Sequence, residues 1–221
     1  TWMTVDAIYA LLLANNPEEF SMVNTTEVIV NDQKTEMDEQ VLGQINKEIQ
    51  KDDLKGNQHI TVRNNNTSRT VYGGIYHQYF APVDEIKASA NSLSVYKKYY
   101  VERAGKWIES TSFNLGERVK VRLTIINDTA LEYLHIKDGR PSGTEPEYRA
   151  SGYQWRSGYY FTMKDASTNY FYDMLPKGRH ELEYEIKANN TGMFNAGIST
   201  AECMYDPSVN ARSENLKVEI K

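Results

Sequence analysis

Apolar and polar residues alternate along much of the chain, most cleanly between residues 169 and 207. Leu182, Tyr184, Ile186 and Ala188 interleave with Glu181, Glu183, Glu185 and Lys187. A period of two, with one greasy and one charged face, predicts a half-buried strand. The aromatic run at 170–172 predicts another, and Leu175-Pro176-Lys177-Gly178 a turn between them. Pro at the second turn position presets φ, and Gly suits the fourth position of a type I turn. Asn189-Asn190-Thr191-Gly192 turns the chain again, and a third segment runs to the corner Met204-Tyr205-Asp206-Pro207.

The same reading extends upstream. Strands are predicted at 93–101, around Trp107 and Ile108, at 119–125, 131–136 and 159–163, and at the end around Leu216, Val218 and Ile220. A long Gly- and Pro-rich loop fills 138–152. Short strands punctuated by turn signals predict an antiparallel β-sandwich over residues 92–221.

Residues 1–15 break the pattern and predict a helix, with Thr4 as its cap, Asp6 in its first turn and Asn15-Asn16-Pro17 ending it. Trp2, Met3, Val5, Ile8, Leu11, Leu12 and Leu13 leave almost no polar face. A helix apolar all round is normally packed inside something larger. Residues 1–16 therefore read as the last helix of an upstream helical domain, the alternative being a single helix packed on a sheet. Residues 17–91 read as a smaller unit, with a strand at 27–30, a turn at Asn31-Asp32 and helical spacing of Val41, Leu42, Ile45 and Ile49. A strand around Ile60 and Val62 and a turn at 64–66 follow. A further strand over 71–80 carries the pair Gly73-Gly74, which suggests a bulge or close backbone approach. Residues 82–91 are a linker with some helical character.

Composition narrows the function classes. The chain has 221 residues, a quarter of them charged, and a net charge of −5, which describes a globular chain without a nucleic-acid footprint. The basic pair Lys97-Lys98 is assigned to a solvated strand face. Cys203 is the sole cysteine, so neither an intrachain disulfide nor a thiolate metal site can form. The four histidines are far apart, with no HExxH spacing. No apolar run reaches the roughly 18 residues of a membrane span. With no leader and no initiator Met, the chain is read as an excised piece.

Candidate chemistry is sparse. His77 and His135 lie within predicted strands and read as structural histidines bonded to a neighbouring strand. Asp138 and Asp165 have no Ser or His at a recognised spacing. Glu181, Glu183 and Glu185 read as the solvated face of one strand, since paired catalytic carboxylates usually come from different elements. Cys203, between Glu202 and Met204, lacks the cationic neighbour that activates a thiolate and reads as inert. Tyr153, Trp155, Tyr159 and Tyr160 crowd around a loop, as in a carbohydrate-binding face or in ordinary packing. No enzyme constellation emerges, and no cofactor is expected.

Several fragments together resemble the C-terminal end of bacterial α2-macroglobulins, specifically the large Bacteroidetes-type members. They are Leu131-Glu132-Tyr133-Leu134-His135-Ile136-Lys137-Asp138, Glu145-Pro146, Ser151-Gly152-Tyr153-Gln154-Trp155, Asp165-Ala166-Ser167-Thr168-Asn169, Leu175-Pro176-Lys177-Gly178, and Met204-Tyr205-Asp206-Pro207 with Arg212-Ser213. The resemblance implies a mainly β fold, with a terminal macroglobulin (MG10-like), Ig-like sandwich at 92–221. The run from Tyr72 to Phe80 is similar to the end of a CUB-like domain, assigned to 17–91. The run from Thr4 to Leu13 is similar to the final helix of an α/α thioester domain.

Such proteins are broad-spectrum protease traps of the bacterial envelope. The resemblance implies a periplasmic, lipid-anchored parent whose partners are its own upstream domains, target proteases and peptidoglycan-synthesis proteins. A bait segment is cut, the molecule rearranges, and a Cys–Gln thioester acylates the attacker. Cys203 is followed by Met204, Tyr205 and Asp206, which does not match the Cys-x-x-Gln thioester motif. The resemblance instead points to Tyr205, beside Met204, as a tyrosine resting over the reactive bond.

Overall fold

The computed structural model describes residues 2–14, 26–35, 46–50, 56, 58–65, 73–76, 78, 80–147 and 150–221. The chain divides into two units, Thr1–His77 and Gln78–Lys221.

In the first unit, helix α1 spans Trp2–Ala14. It starts ahead of Thr4, so that residue lies within the helix and is not its cap, and no acidic residue falls in the first turn. Residues 3–10 are all exposed, including the large side chains Met3, Val5, Ile8 and Tyr9. Strand β1 (Thr26–Val30) pairs antiparallel with β2 (Gln33–Lys34) and β3 (Ile60–Asn64). Asn31 and Asp32 join the first two with φ of 50° and 63°, the left-handed pair that matches a two-residue hairpin turn to the twist of its strands.

Two expectations for this stretch fail. Within 71–80 the described residues, Gly73–Tyr76, Gln78 and Phe80, lie in no strand; two adjacent glycines weaken a strand by chain entropy and offer no side chain to pack. Residues 46–50 likewise form no helix. The rest of the helical spacing around Val41 lies outside the described residues, as does His77.

The second unit is a β-sandwich. One layer has five strands in the order β5-β4-β7-β13-β9, formed by β4 (Leu93–Arg103), β5 (Lys106–Glu109), β7 (Arg118–Asn127), β9 (Thr144–Pro146) and β13 (Gly178–Ala188). The other has six in the order β10-β11-β12-β8-β15-β16. These are β8 (Leu131–Gly139), β10 (Gly152–Gln154), β11 (Tyr159–Met163), β12 (Ser167–Leu175), β15 (Ser199–Cys203) and β16 (Asp206–Arg212). A small third sheet, β14-β17-β6, comprises β6 (Ser112–Phe113), β14 (Gly192–Asn195) and β17 (Lys217–Ile220). Its β6–β17 pair is parallel; every other strand pair among the described residues is antiparallel.

One core fills the space between the layers. β4 contributes Leu93, Val95, Tyr99 and Val101, β7 contributes Val119, Val121, Leu123 and Ile125, and β13 contributes Leu182, Tyr184 and Ile186. Leu134, Ile136, Tyr170, Tyr172 and Ala201 meet them from the other layer. The turn Leu175-Pro176-Lys177-Gly178 therefore does not close a hairpin. It carries the chain from the end of the six-stranded sheet to the start of the five-stranded one, since β12 pairs with β8 whereas β13 pairs with β7. The segment after Gly192 also splits, β14 entering the small sheet and β15 the large one.

Two strands fall where turn chemistry dominates the sequence. β9 lies inside the Gly- and Pro-rich loop, and β16 starts at the Met204–Pro207 corner. Both contain a proline and both sit at a sheet edge, the position where a missing N–H is tolerated. Residues 86–91 run along β16: Ser89 exchanges backbone bonds with Arg212 at 3.0 and 2.9 Å, and Asn91 donates its side-chain amide to the Ser208 carbonyl at 2.8 Å.

Candidate functional site

Polar chemistry inside the sandwich centres on Lys97. Its place in β4 is in phase with Leu93, Val95, Tyr99 and Val101, so the pleat turns it inward. The basic pair is thus split: Lys97 is buried, and only Lys98 lies outside, 2.8 Å from Glu109. The solvated-face reading fails for Lys97 because neighbouring residues in a strand point to opposite sides.

The Lys97 Nζ lies 2.8 Å from Asp138 Oδ1 and donates to the carbonyls of Gly139 and Ala196 at 2.5 and 2.9 Å. Asp138 also accepts from Tyr184 Oη at 2.5 Å and from Ser199 Oγ at 2.7 Å. Three ammonium protons meet three acceptors, and the carboxylate takes three donors. Such saturation is what allows an ion pair to survive out of water. Burial draws the Lys97 ammonium below its ordinary value, against the pull of Asp138. Asp138 is fully buried, so this cluster ties the two layers together and offers no substrate access. Among the described residues, no three His, Cys, Asp or Glu side chains gather as a metal site.

The outer face of the five-stranded sheet carries the acidic stripe. Across the β13–β7 pairing, Glu183 lies 2.6 Å from Arg122 and 3.3 Å from Lys120, and Glu181 lies 3.8 Å from Arg122; along β13 itself, Glu181 lies 3.0 Å from Arg179. Glu185 lies 3.6 Å from Arg118. Burial pushes the Glu183 carboxyl up, but Arg122 and Lys120 together hold it below the usual range. These glutamates form a solvated charge ladder. Tyr96, Tyr100, Arg122 and Arg179 line an open groove beside it, but its cations are already engaged by the carboxylates named above.

The outer face of the six-stranded sheet is aromatic. Strand register aligns Tyr153, Tyr160, Phe171, His135, Glu202 and Asn210 in one row across six strands. Trp155, at the β10–β11 turn, is 86% exposed and packs edge-on against Tyr153 with centroids 4.7 Å apart. Tyr159 faces the other way, against Tyr170 and Tyr172 in the core. Of the four candidate rings the structure brings Tyr153, Trp155 and Tyr160 together and separates Tyr159. His135 stacks on Phe171 at 4.5 Å and its Nε2 meets Asn169 Oδ1 on the neighbouring strand at 3.1 Å, a structural role. Cys203 is a buried free thiol pushed up by burial and by Asp206 and Glu202, which disfavours its thiolate. Asp165 is exposed, and its carbonyl accepts from Arg140 at 2.6 Å.

Met204 and Tyr205 form the tip between β15 and β16. Tyr205 is 74% exposed. Its ring meets that of Tyr133 at 90°, with centroids 4.9 Å apart, and the Met204 amide donates to the Tyr133 carbonyl at 3.0 Å. Tyr133 was not singled out by the sequence. The signal lay in Leu131 and Leu134, both buried at a spacing of three, which a regular strand cannot achieve.

Residues 93–208, just over half of the chain, match the family model described as the bacterial alpha-2-macroglobulin MG10 domain. Among curated proteins none matches. Solved structures with a similar fold include Salmonella alpha-2-macroglobulin reacted with methylamine, at 21% identity and TM-score 0.54, covering 63% of this chain and 10% of that one. The native conformation of E. coli alpha-2-macroglobulin is similar at 16% identity and TM-score 0.55, covering 64% and 10%. An E. coli piece running from domain MG7 to the C-terminus gives 18% identity and TM-score 0.53, covering 64% of this chain and 24% of that one. The chain spans about a tenth of the length of the whole relatives it matches.

Proposed function

The chain belongs to the bacterial alpha-2-macroglobulin family through its MG10 domain, and on that premise we propose that it serves a protease-trapping inhibitor as a non-catalytic support. In this reading the sandwich holds the parent in its native state through contacts with neighbouring domains, and Tyr205, flanked by Met204, covers a thioester carried elsewhere in the protein. The observation that carries the reading is the β15–β16 tip, where an exposed ring is braced by a second ring and by a backbone bond. An acyl-thioester must be kept from water until it is triggered, and a fixed aromatic surface does this by exclusion.

The other parts fit the same scheme. The exposed apolar residues of α1 would pack within a helical thioester domain, and the strands at 26–64 would belong to a CUB-like unit. The parent would be a lipid-anchored periplasmic protein, its targets proteases and its neighbours peptidoglycan-synthesis proteins. In a thioester-bearing parent, Tyr205→Ala should speed inactivation by methylamine; an unchanged rate removes the covering role.

A second reading, a carbohydrate-binding or adhesin face, draws on the exposed Trp155–Tyr153 pair and on Tyr160. With Tyr159 turned inward it keeps three of its four rings. Glycan binding that disappears in Trp155→Ala would favour it, and a glycan array with no signal would remove it.

A further inference from the structure

Resting on that reading of Tyr205, we propose that Tyr133 is the positioning residue that holds Tyr205 in its covering orientation. Tyr133 has φ of +51°, a left-handed conformation that is a genuine outlier for a bulky side chain and persists only where its surroundings over-determine it. Those surroundings are visible. Leu131 and Leu134 anchor the strand in the core on either side. β8 and β12 each present two successive outward residues, Glu132–Tyr133 and Asp173–Met174, and the pairing lapses between Tyr133 and Asp173.

The step lets Leu131 and Leu134 both face inward, but the Tyr133 side chain itself is 44% exposed, so burial does not account for the placing of its ring. Its consequences lie at the tip. Neither Met204 nor Tyr205 takes the positive φ that fixes favoured two-residue hairpin turns, and the β15–β16 register shifts between Glu202 and Cys203. Asp206 Oδ1 accepts from the Ser208 amide at 3.2 Å, which orders the start of β16 but does not reach the Tyr205 ring. The two tip residues themselves are held from Tyr133: its carbonyl accepts from the Met204 amide at 3.0 Å and its ring lies edge-on to Tyr205 at 4.9 Å. A ring ordered before docking loses less freedom when it docks.

The test uses the full-length protein, with methylamine as probe and released thiol as readout, alongside thermal unfolding. Tyr205→Ala establishes whether the cover exists. Tyr133→Ala should then speed thiol release roughly 2- to 12-fold, the range an aromatic pair contributes, while Tyr133→Phe keeps the wild-type rate. Tyr133→Gly relieves the backbone and should raise the rate without lowering the unfolding temperature, which a merely structural role would not do. Tyr133→Ala combined with Tyr205→Ala should be no faster than Tyr205→Ala alone. If Tyr205→Ala accelerates release and both Tyr133→Ala and Tyr133→Gly stay at the wild-type rate, the positioning role is overturned and the cover stands. If Tyr205→Ala changes nothing, or the wild type releases no thiol, the cover falls and this role with it.

Discussion

Lys97 and Asp138 face each other across the sandwich at 2.8 Å, with side chains 1% and 0% exposed, one from each layer. Removing either partner leaves the other charged in a dry core. Lys97→Met or Asp138→Leu alone should cost about 3–5 kcal/mol. The two together should cost clearly less than the sum, because neither stranded charge remains. Urea unfolding of the wild type and the three variants of this cycle checks it; additive losses would mean that the pair is not coupled.

Two tyrosines beside this cluster should respond differently to loss of the hydroxyl. Tyr184 donates to Asp138, so Tyr184→Phe removes a bond to a charged acceptor worth roughly 1.5–3 kcal/mol. Tyr170 buries a hydroxyl with no partner among the described residues, so Tyr170→Phe should be neutral or stabilising. Thermal unfolding of both variants is sufficient, and equal losses would contradict the assignment.

The backbone around Lys97 depends on two glycines in contact. Gly197 has φ of +76°, and a Cβ there would lie 2.7 Å from the Gly139 carbonyl carbon and oxygen. Gly105, in the β4–β5 turn, has the same φ of +76° with open space around it. Gly105→Ala should cost only the left-handed strain of about 1–2 kcal/mol. Gly197→Ala should cost roughly 1–3 kcal/mol more, because backbone must move to admit the methyl group. Equal losses in denaturant titrations of the two variants would contradict the close approach.

Alkaline pH should unfold the sandwich by linkage. Burial pushes Tyr99, Tyr170 and Tyr184 well above the ordinary phenol value, with the Asp138 charge adding to it, and burial with Tyr159 raises Tyr172. In the unfolded chain these phenols lose protons near pH 10. Above that pH the folded state binds more protons, so stability falls as pH rises. Lys97, drawn down by burial, acts in the opposite sense, but it is one group against four. Tyrosinate absorbance should show these four rings ionising only together with unfolding; titration near pH 10 in a folded chain would contradict the burial.

Much of the sandwich was legible because its strands are amphipathic. The alternation at 181–188 and 119–125 specified both the strands and their inward faces. The same period of two, carried further, holds information that residue type obscured. Lys97 is in phase with Val95 and Tyr99, yet a lysine reads as solvent-facing unless its partner is known, and Asp138 lies far along the chain. Tyr159 and Tyr160 are adjacent in a strand, so they could not share one face. β9 and β16 were hidden by proline and turn residues that an edge strand tolerates. The Tyr133–Tyr205 contact depends on a backbone irregularity for which a single sequence gives only the Leu131–Leu134 spacing as a hint. The helix at Trp2–Ala14 was legible from its start and stop signals taken together, but its first residue was not, because Thr4 lies inside it.

The covering role of the tip is tested most directly by placing a photo-crosslinking residue, p-benzoylphenylalanine, at Tyr205 in the full-length protein. The account predicts a crosslink to the thioester-bearing domain in the native state that is lost after methylamine or protease treatment. A native protein with no such crosslink, or one whose yield does not change on treatment, would contradict it.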